Sequence, residues 1–166
     1  MSTPRRIVGI DPGLAITGYG VLEFTPVRPV ICEAGIIRTA DDDASDMAEK
    51  VLSVYKGVVE VVAQFKPEAM AVEQLYAHYD HPRTAILMGH ARGVIFLAAA
   101  QAGIPVVSYA STQVKKIVTG NGRASKEQVQ RTIQREMGLA RLPDPPDVAD
   151  ALAVALCHYY QSKMQL

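Results

Sequence analysis

The chain has 166 residues, with 17 lysines and arginines against 17 aspartates and glutamates. That length sets the expectation of a single domain, residues 1–166, with a substantial core. Zero formal charge gives no bulk sign of a nucleic-acid partner, but the charge is unevenly spread. Residues 31–60 carry seven acids and three bases, and residues 111–140 carry six bases and two acids. A local basic region can follow a phosphate backbone, although charge clusters are more often solvated helix faces. Cys32 and Cys157 lie in apolar surroundings without metal-ligand spacing, as expected of reduced core residues in a cytoplasmic protein. Residues 1–6 are polar, unlike a signal peptide. The uncharged stretch 93–114 is broken by Gly103 and Pro105, so it reads as a helix, a turn and a strand, not a membrane span.

In chain order, Arg6-Ile-Val-Gly-Ile-Asp-Pro-Gly13 is an apolar strand ending on an acid and two breakers. Residues 16–24 alternate as a second strand, so Asp11 sits near the top of a hairpin. Gly13, Gly18 and Gly20 leave room for something to approach the backbone. A third strand falls within residues 30–38. Asp41, Asp42 and Asp43 read as an acidic helix start. Met47, Val51, Val54, Tyr55, Val58, Val61, Val62 and Phe65 then recur at helical spacing until Pro67. Residues 69–73 form a short strand buried on both faces and ending on Glu73. Residues 75–83 read as a loop, 84–102 as an alanine-rich helix and 105–109 as a strand. Helices follow over 112–119, 125–137 and 147–163, with Asp144-Pro-Pro146 breaking the chain. The order β-β-β-α-β-α-β-α-α-α predicts an α/β fold. Its mixed five-stranded sheet has three antiparallel strands, then parallel additions through right-handed crossovers, with helices on both faces.

Sites in open α/β sheets gather at the C-terminal ends of parallel strands. Asp11 and Glu73 both end strands and converge if the first and fourth strands are neighbours. Asp147 and Asp150, three apart, share one face at a helix start. Alone, Asp11 reads as a turn cap and the helical pair as a match to the helix dipole. Together in one cleft, four carboxylates repel unless cations sit among them. Hard divalent ions such as Mg²⁺ or Mn²⁺ suit such oxygen donors, and two of them can clamp a phosphodiester. None of His78, His81, His90 and His158 has zinc-ligand spacing; they read as loop, surface or packing residues, with His78 and His81 as candidate DNA contacts.

The ordered set Gly9-Ile-Asp-Pro-Gly13, Ala71-Val-Glu-Gln74, Gly89-His-Ala-Arg-Gly93, Gln113-Val-Lys115 and Asp147-Val-Ala-Asp-Ala-Leu-Ala153 resembles the RuvC-type Holliday junction resolvases of the ribonuclease-H-like superfamily. The resemblance runs from about Arg6 to Tyr160. It implies a homodimer that cuts two strands of like polarity across four-way junction DNA, leaving 5′-phosphate and 3′-hydroxyl ends. It implies Asp11, Glu73, Asp147 and Asp150 as catalytic, metal-binding acids, with Mg²⁺ or Mn²⁺ at two ions per site. It places Tyr76 at a base-stacking position and Lys115 and Lys126 near the scissile phosphate, and on that reading Gly13, Gly18 and Gly20 become clearance for a DNA backbone. It also implies coupling to the RuvA–RuvB branch-migration machinery. Arg92 is a motif residue without an assigned role. Lys116, Arg123 and Arg131 read as general backbone contacts or solvated groups. The loop 77–83 departs from the family pattern, which leaves base preference open. The alanine-rich helix offers a surface for self-contact, and equally reads as a core helix. Three other readings are weaker. A sugar-kinase-type phosphate hairpin would need a second domain. A junction-binding module would not need the four acids. An RNA-processing nuclease of the same superfamily is the nearest rival.

Overall fold

The structure is a computed structural model and describes residues 3–39, 46–75 and 81–164. Strands β1 (Arg6–Asp11) and β2 (Ile16–Glu23) pair antiparallel, with Gly9 opposite Gly20 and Asp11 opposite Gly18. Thr17 ties the intervening turn. Its buried hydroxyl donates to the Gly13 carbonyl at 2.6 Å and accepts from the Gly13 amide at 3.3 Å. Strand β3 (Val30–Arg38) adds antiparallel to β2. Helix α1 (Met47–Phe65) then crosses to β4 (Ala69–Glu73), which lies parallel to β1. Helix α2 (Pro82–Gln101) leads to β5 (Val106–Tyr109), parallel to β4. The sheet order is β3-β2-β1-β4-β5, so the first and fourth strands are neighbours, as the sequence requires for its acids to meet. Helices α3 (Ser111–Thr119), α4 (Lys126–Met137) and α5 (Pro146–Met164) complete the chain.

Strand alternation sorts the core into two layers. Val8, Ile10, Val21, Met70 and Val72 pack with Val54, Val58, Val61 and Val62 of α1 and Ile95, Ala98 and Ala99 of α2. Ile7, Leu22, Ala69 and Ala71 face the opposite side, where Leu152, Ala155, Leu156 and Tyr159 of α5 cover them with α3 and α4 packed alongside. All of Ala69, Met70, Ala71 and Val72 are buried, as expected of a strand covered on both faces. Helix α2 is long and apolar enough, by length and composition alone, to cross a membrane. Here it packs Ala91, Ile95, Ala98 and Ala99 inward against the sheet layer.

Some expectations change. The glycines do not clear space for DNA. A Cβ on Gly18 would stand 2.2 Å from the Asp147 carbonyl oxygen, and one on Gly20 would stand 2.6 Å from the Leu152 side chain. Both positions, with Gly9, are where α5 lies flush on the hairpin. Gly13 is crowded by the Ile16 carbonyl oxygen of its own turn, at 2.1 Å. Cys157 is buried, but Cys32 is exposed on the edge strand β3 and is not a core residue. Pro82 and Arg83 belong to α2 and not to the loop before it; proline suits a first helical position because its missing N–H has no partner there. Pro146 likewise starts α5 instead of only breaking the chain. The N-cap of α1 is Asp46, whose side chain accepts from the Ala48 amide. The acidic start at residues 41–43 lies outside the described residues.

Candidate active site

Register brings the first two acids together. In the parallel pair, Gly9 aligns with Ala71 and Ile10 with Val72, so the next step sets Asp11 beside Glu73. Each continues its strand's α5-facing row: Asp11 after Ile7 and Gly9, Glu73 after Ala69 and Ala71. Adjacent strands lie about 4.8 Å apart, so two carboxylates emerge side by side at the C-terminal edge of the sheet. Helix α5 supplies the other pair. Its alanines Ala149, Ala151, Ala153 and Ala155 are all buried, and with Gly9, Gly18 and Gly20 beneath them the helix settles low on the sheet. The first turn, with Asp147, therefore stands over Gly18, the residue opposite Asp11.

The result is a cleft of about 390 Å³ lined by Asp11, Glu73, Asp147 and Asp150 together with Lys115 and Lys126. All four sequence-predicted acids and both predicted lysines are thus in one place. Among the described residues, no three acids already close into a metal cage. Tyr76 and His78 lie outside the described residues, and His81 stands at the N-cap of α2. His158 is a packing residue. It hydrogen-bonds the Tyr109 hydroxyl through Nδ1 at 2.6 Å, and burial holds its pKa below the usual imidazole range.

Lys126 is placed against the electrostatics of its own helix. It occupies the first residue of α4, where the helix dipole disfavours a cation. A capping box fixes that turn, with the Ser125 hydroxyl accepting from the Gln128 amide at 3.1 Å and the Gln128 side chain accepting from the Ser125 amide at 2.8 Å. The ammonium then reaches Asp150 at 3.9 Å. Both partners keep access to solvent, so this pair adds little stability; its effect is to hold a positive charge at the cleft.

The acids are strained electrostatically. Burial, then the charges of Asp150, Asp147 and Glu73, push Asp11 up to about 8, and a hydrogen bond with the Asp147 carboxyl adds to the rise. Burial and the Asp150 charge raise Glu73, opposed by Lys115, Lys126 and Arg92. Burial raises Asp150 as well, with Lys126 opposing it and Asp147 reinforcing it. The sign of the consequence is fixed. The folded chain keeps the Asp11 proton up to about pH 8, whereas the unfolded chain releases it near 3.8. Stability associated with this proton is therefore present at low pH and lost as pH rises between those values. Thermal unfolding in chelator should show a falling midpoint from pH 5 to 8. Asp11→Asn should flatten that fall and stabilise the metal-free protein at pH 8 by about 1–2 kcal/mol. Identical pH profiles for the two proteins would show that Asp11 carries no such charge burden.

Sequence reasoning missed three contributors. Met88 and Ser111 line the cleft, and nothing in their local pattern distinguishes them from helix-surface residues. Arg92 donates through Nη1 to the Glu73 carbonyl and stacks its guanidinium over Phe96, 4.9 Å from the ring centroid. The Gly89–Gly93 motif marked this arginine but not its contact.

Carboxylates thus stand at the ends of two adjacent parallel strands and on the helix that covers them. The sequence matches the family described as crossover junction endodeoxyribonuclease RuvC over residues 7–158. A crossover junction endodeoxyribonuclease from Rhodopirellula baltica is 51% identical over 154 residues, covering 93% of this chain and 85% of its own. One from Desulforamulus reducens is 46% identical over 152 residues, covering 92% and 91%. The solved structure of Thermus thermophilus RuvC in complex with Holliday junction substrate superposes with a TM-score of 0.90 at 34% identity, covering 97% of this chain and 96% of that one. A yeast mitochondrial Holliday junction resolvase, at 13% identity and a TM-score of 0.60, shares the fold. The chain belongs to the RuvC family of crossover junction endodeoxyribonucleases.

Proposed function

We propose that this protein resolves four-way DNA junctions by metal-dependent hydrolysis of two strands of like polarity, with Asp11, Glu73, Asp147 and Asp150 as the ligands of two divalent cations, Mg²⁺ or Mn²⁺. The observation that carries the proposal is the set of four carboxylates in one cleft, with Asp11 raised to about 8. A donor set of hard oxygens carrying more negative charge than it can comfortably hold fits hard divalent ions. When bound, such ions supply Lewis acidity to phosphodiester hydrolysis, giving 5′-phosphate and 3′-hydroxyl ends.

The remaining roles fall to the chain's own groups. Asp11, the most strongly raised acid, anchors the site from the sheet. Asp147 and Asp150 close it from α5. Lys115 and Lys126 meet the scissile phosphate and offset charge developing there. Tyr76 stacks on a junction base, since an aromatic face accepts any base.

Two active sites are needed to cut two strands, and a C₂ dimer presents them to a near-two-fold junction. Helix α2 offers the contact. Ile86 and Leu97 are exposed, and nothing lies within 4 Å of a Cβ built on Gly89 or Gly93 between them. A second copy can approach closely along that stripe. On this reading the whole chain is one nuclease domain, acts in the cytoplasm, and receives junctions from the RuvA–RuvB branch-migration complex.

One assay tests chemistry and pairing together. A supercoiled plasmid that extrudes a cruciform should be converted to linear product when Mg²⁺ or Mn²⁺ is supplied, and should survive in chelator. Nicked circles alone would sink the paired dimer, and no cutting across varied junction cores under either ion would sink the nuclease reading.

A further inference from the structure

Strand β4 ends on a peptide that the sheet cannot hold by itself. The Gln74 amide donates to the Tyr109 carbonyl of β5 at 2.8 Å. The Glu73 carbonyl, on the other side of that peptide unit, turns toward β1. With Ile10 aligned to Val72, a continued parallel ladder would draw its donor from residue 12. That residue is Pro12, which has no N–H. The next amide, Gly13, is committed to the Thr17 hydroxyl. The donor that reaches the Glu73 carbonyl is the Arg92 guanidinium from α2. Its plane rests on Phe96, one turn along the same helix, which limits where the fork can point. Ala91 and Ile95, on either side of it, are fully buried and fix the helix against the sheet.

We infer that Arg92 is a positioning residue: it supplies the sheet hydrogen bond that Pro12 cannot, and so holds the Glu73 peptide from both sides and the Glu73 carboxylate at the cleft. The inference rests on the proposed role of Glu73 as a cation ligand. Partners that orient a ligand without touching the ion are worth roughly 10–100-fold in metal affinity or activity. Arginine suits the task because its planar fork loses little freedom per bond formed.

The test uses Mn²⁺-dependent thermal stabilisation of the whole protein alongside junction cleavage. Arg92→Ala should raise the Mn²⁺ midpoint about tenfold and slow cleavage, with junction binding retained. Arg92→Lys, which keeps the charge but loses the planar fork, should recover less than half of that shift. The decisive variant is Pro12→Ala combined with Arg92→Ala. It restores a backbone donor to the ladder and should return the Mn²⁺ midpoint most of the way toward the starting value. The metal-free unfolding midpoint of each variant reports whether it has folded. An unchanged Mn²⁺ midpoint in folded Arg92→Ala, full recovery by Arg92→Lys, or no recovery in the double variant would overturn the proposal. Glu73→Gln separates the two levels of argument. If it shifts the Mn²⁺ midpoint while Arg92→Ala does not, only Arg92 is misassigned. If Glu73→Gln shifts nothing, the role of Glu73 itself fails.

Discussion

Asp11→Asn is expected to abolish junction cleavage, by roughly 10³-fold or more, and to leave junction binding nearly unchanged. The size follows from what the carboxylate is asked to do. Lewis-acid stabilisation of the transition state is worth several kcal/mol, and each ~1.4 kcal/mol is a factor of ten in rate. An amide of the same shape retains the packing beneath α5 but not the charge. Binding should persist because affinity for DNA lies mostly in phosphate contacts, and Lys115 and Lys126 remain at the cleft. Filter binding in Ca²⁺ or chelator, beside cleavage in Mn²⁺, measures both effects on the same junction. Cleavage near the wild-type rate would remove Asp11 from the chemistry. Binding lost in parallel with cleavage would make it a structural residue.

The same acid shows what a sequence can and cannot disclose. Asp11 and Glu73 were legible because each ends an apolar strand, and topology leaves few arrangements in which such strands are not neighbours. Asp147 and Asp150 were legible from helical spacing. Their convergence needed only the order of elements, which the turn residues and periodicities supply. The glycines were half legible. A glycine inside a strand announces a close approach, but not by what. Gly18 meets Asp147, far along the chain, and no local pattern names that partner. Cys32 failed for a related reason. An apolar neighbourhood looks the same on an edge strand as on a central one, and β3 turns out to be an edge. Arg92 failed differently. Its partner is a backbone carbonyl, and a carbonyl leaves no mark in the amino-acid sequence. The absent N–H of Pro12 was visible throughout, but its consequence depends on register, which only the folded sheet provides.

Gly18→Ala and Gly9→Ala should both damage the enzyme, in different proportions, because the site depends on how low α5 sits. A Cβ at Gly9 would lie 2.1 Å from the Ala151 carbonyl oxygen and 2.8 Å from the Ala155 amide nitrogen. Both atoms belong to the backbone in the middle of α5, which cannot yield without lifting the helix off β1. Overpacking of that kind costs about 3 kcal/mol or more, which for a domain of this size lowers the unfolding midpoint by roughly 6–12 °C. At Gly18 the Cβ would lie 2.2 Å from the Asp147 carbonyl oxygen, in the first turn. A helix end can tilt or fray, so the stability loss should be smaller, about 1–2 kcal/mol. The cost reappears in function. The turn that moves carries Asp147, which hydrogen-bonds Asp11, and an ångström of displacement at a catalytic group can cost 10²-fold in rate. Gly18→Ala should therefore lose more activity per kcal/mol of stability than Gly9→Ala, with both measured well below their unfolding midpoints. If Gly18→Ala cuts junctions at the wild-type rate, the close seating of α5 on the hairpin serves packing alone. If it loses cleavage but keeps junction binding, the bare backbone at Gly18 is part of how the four acids are brought together.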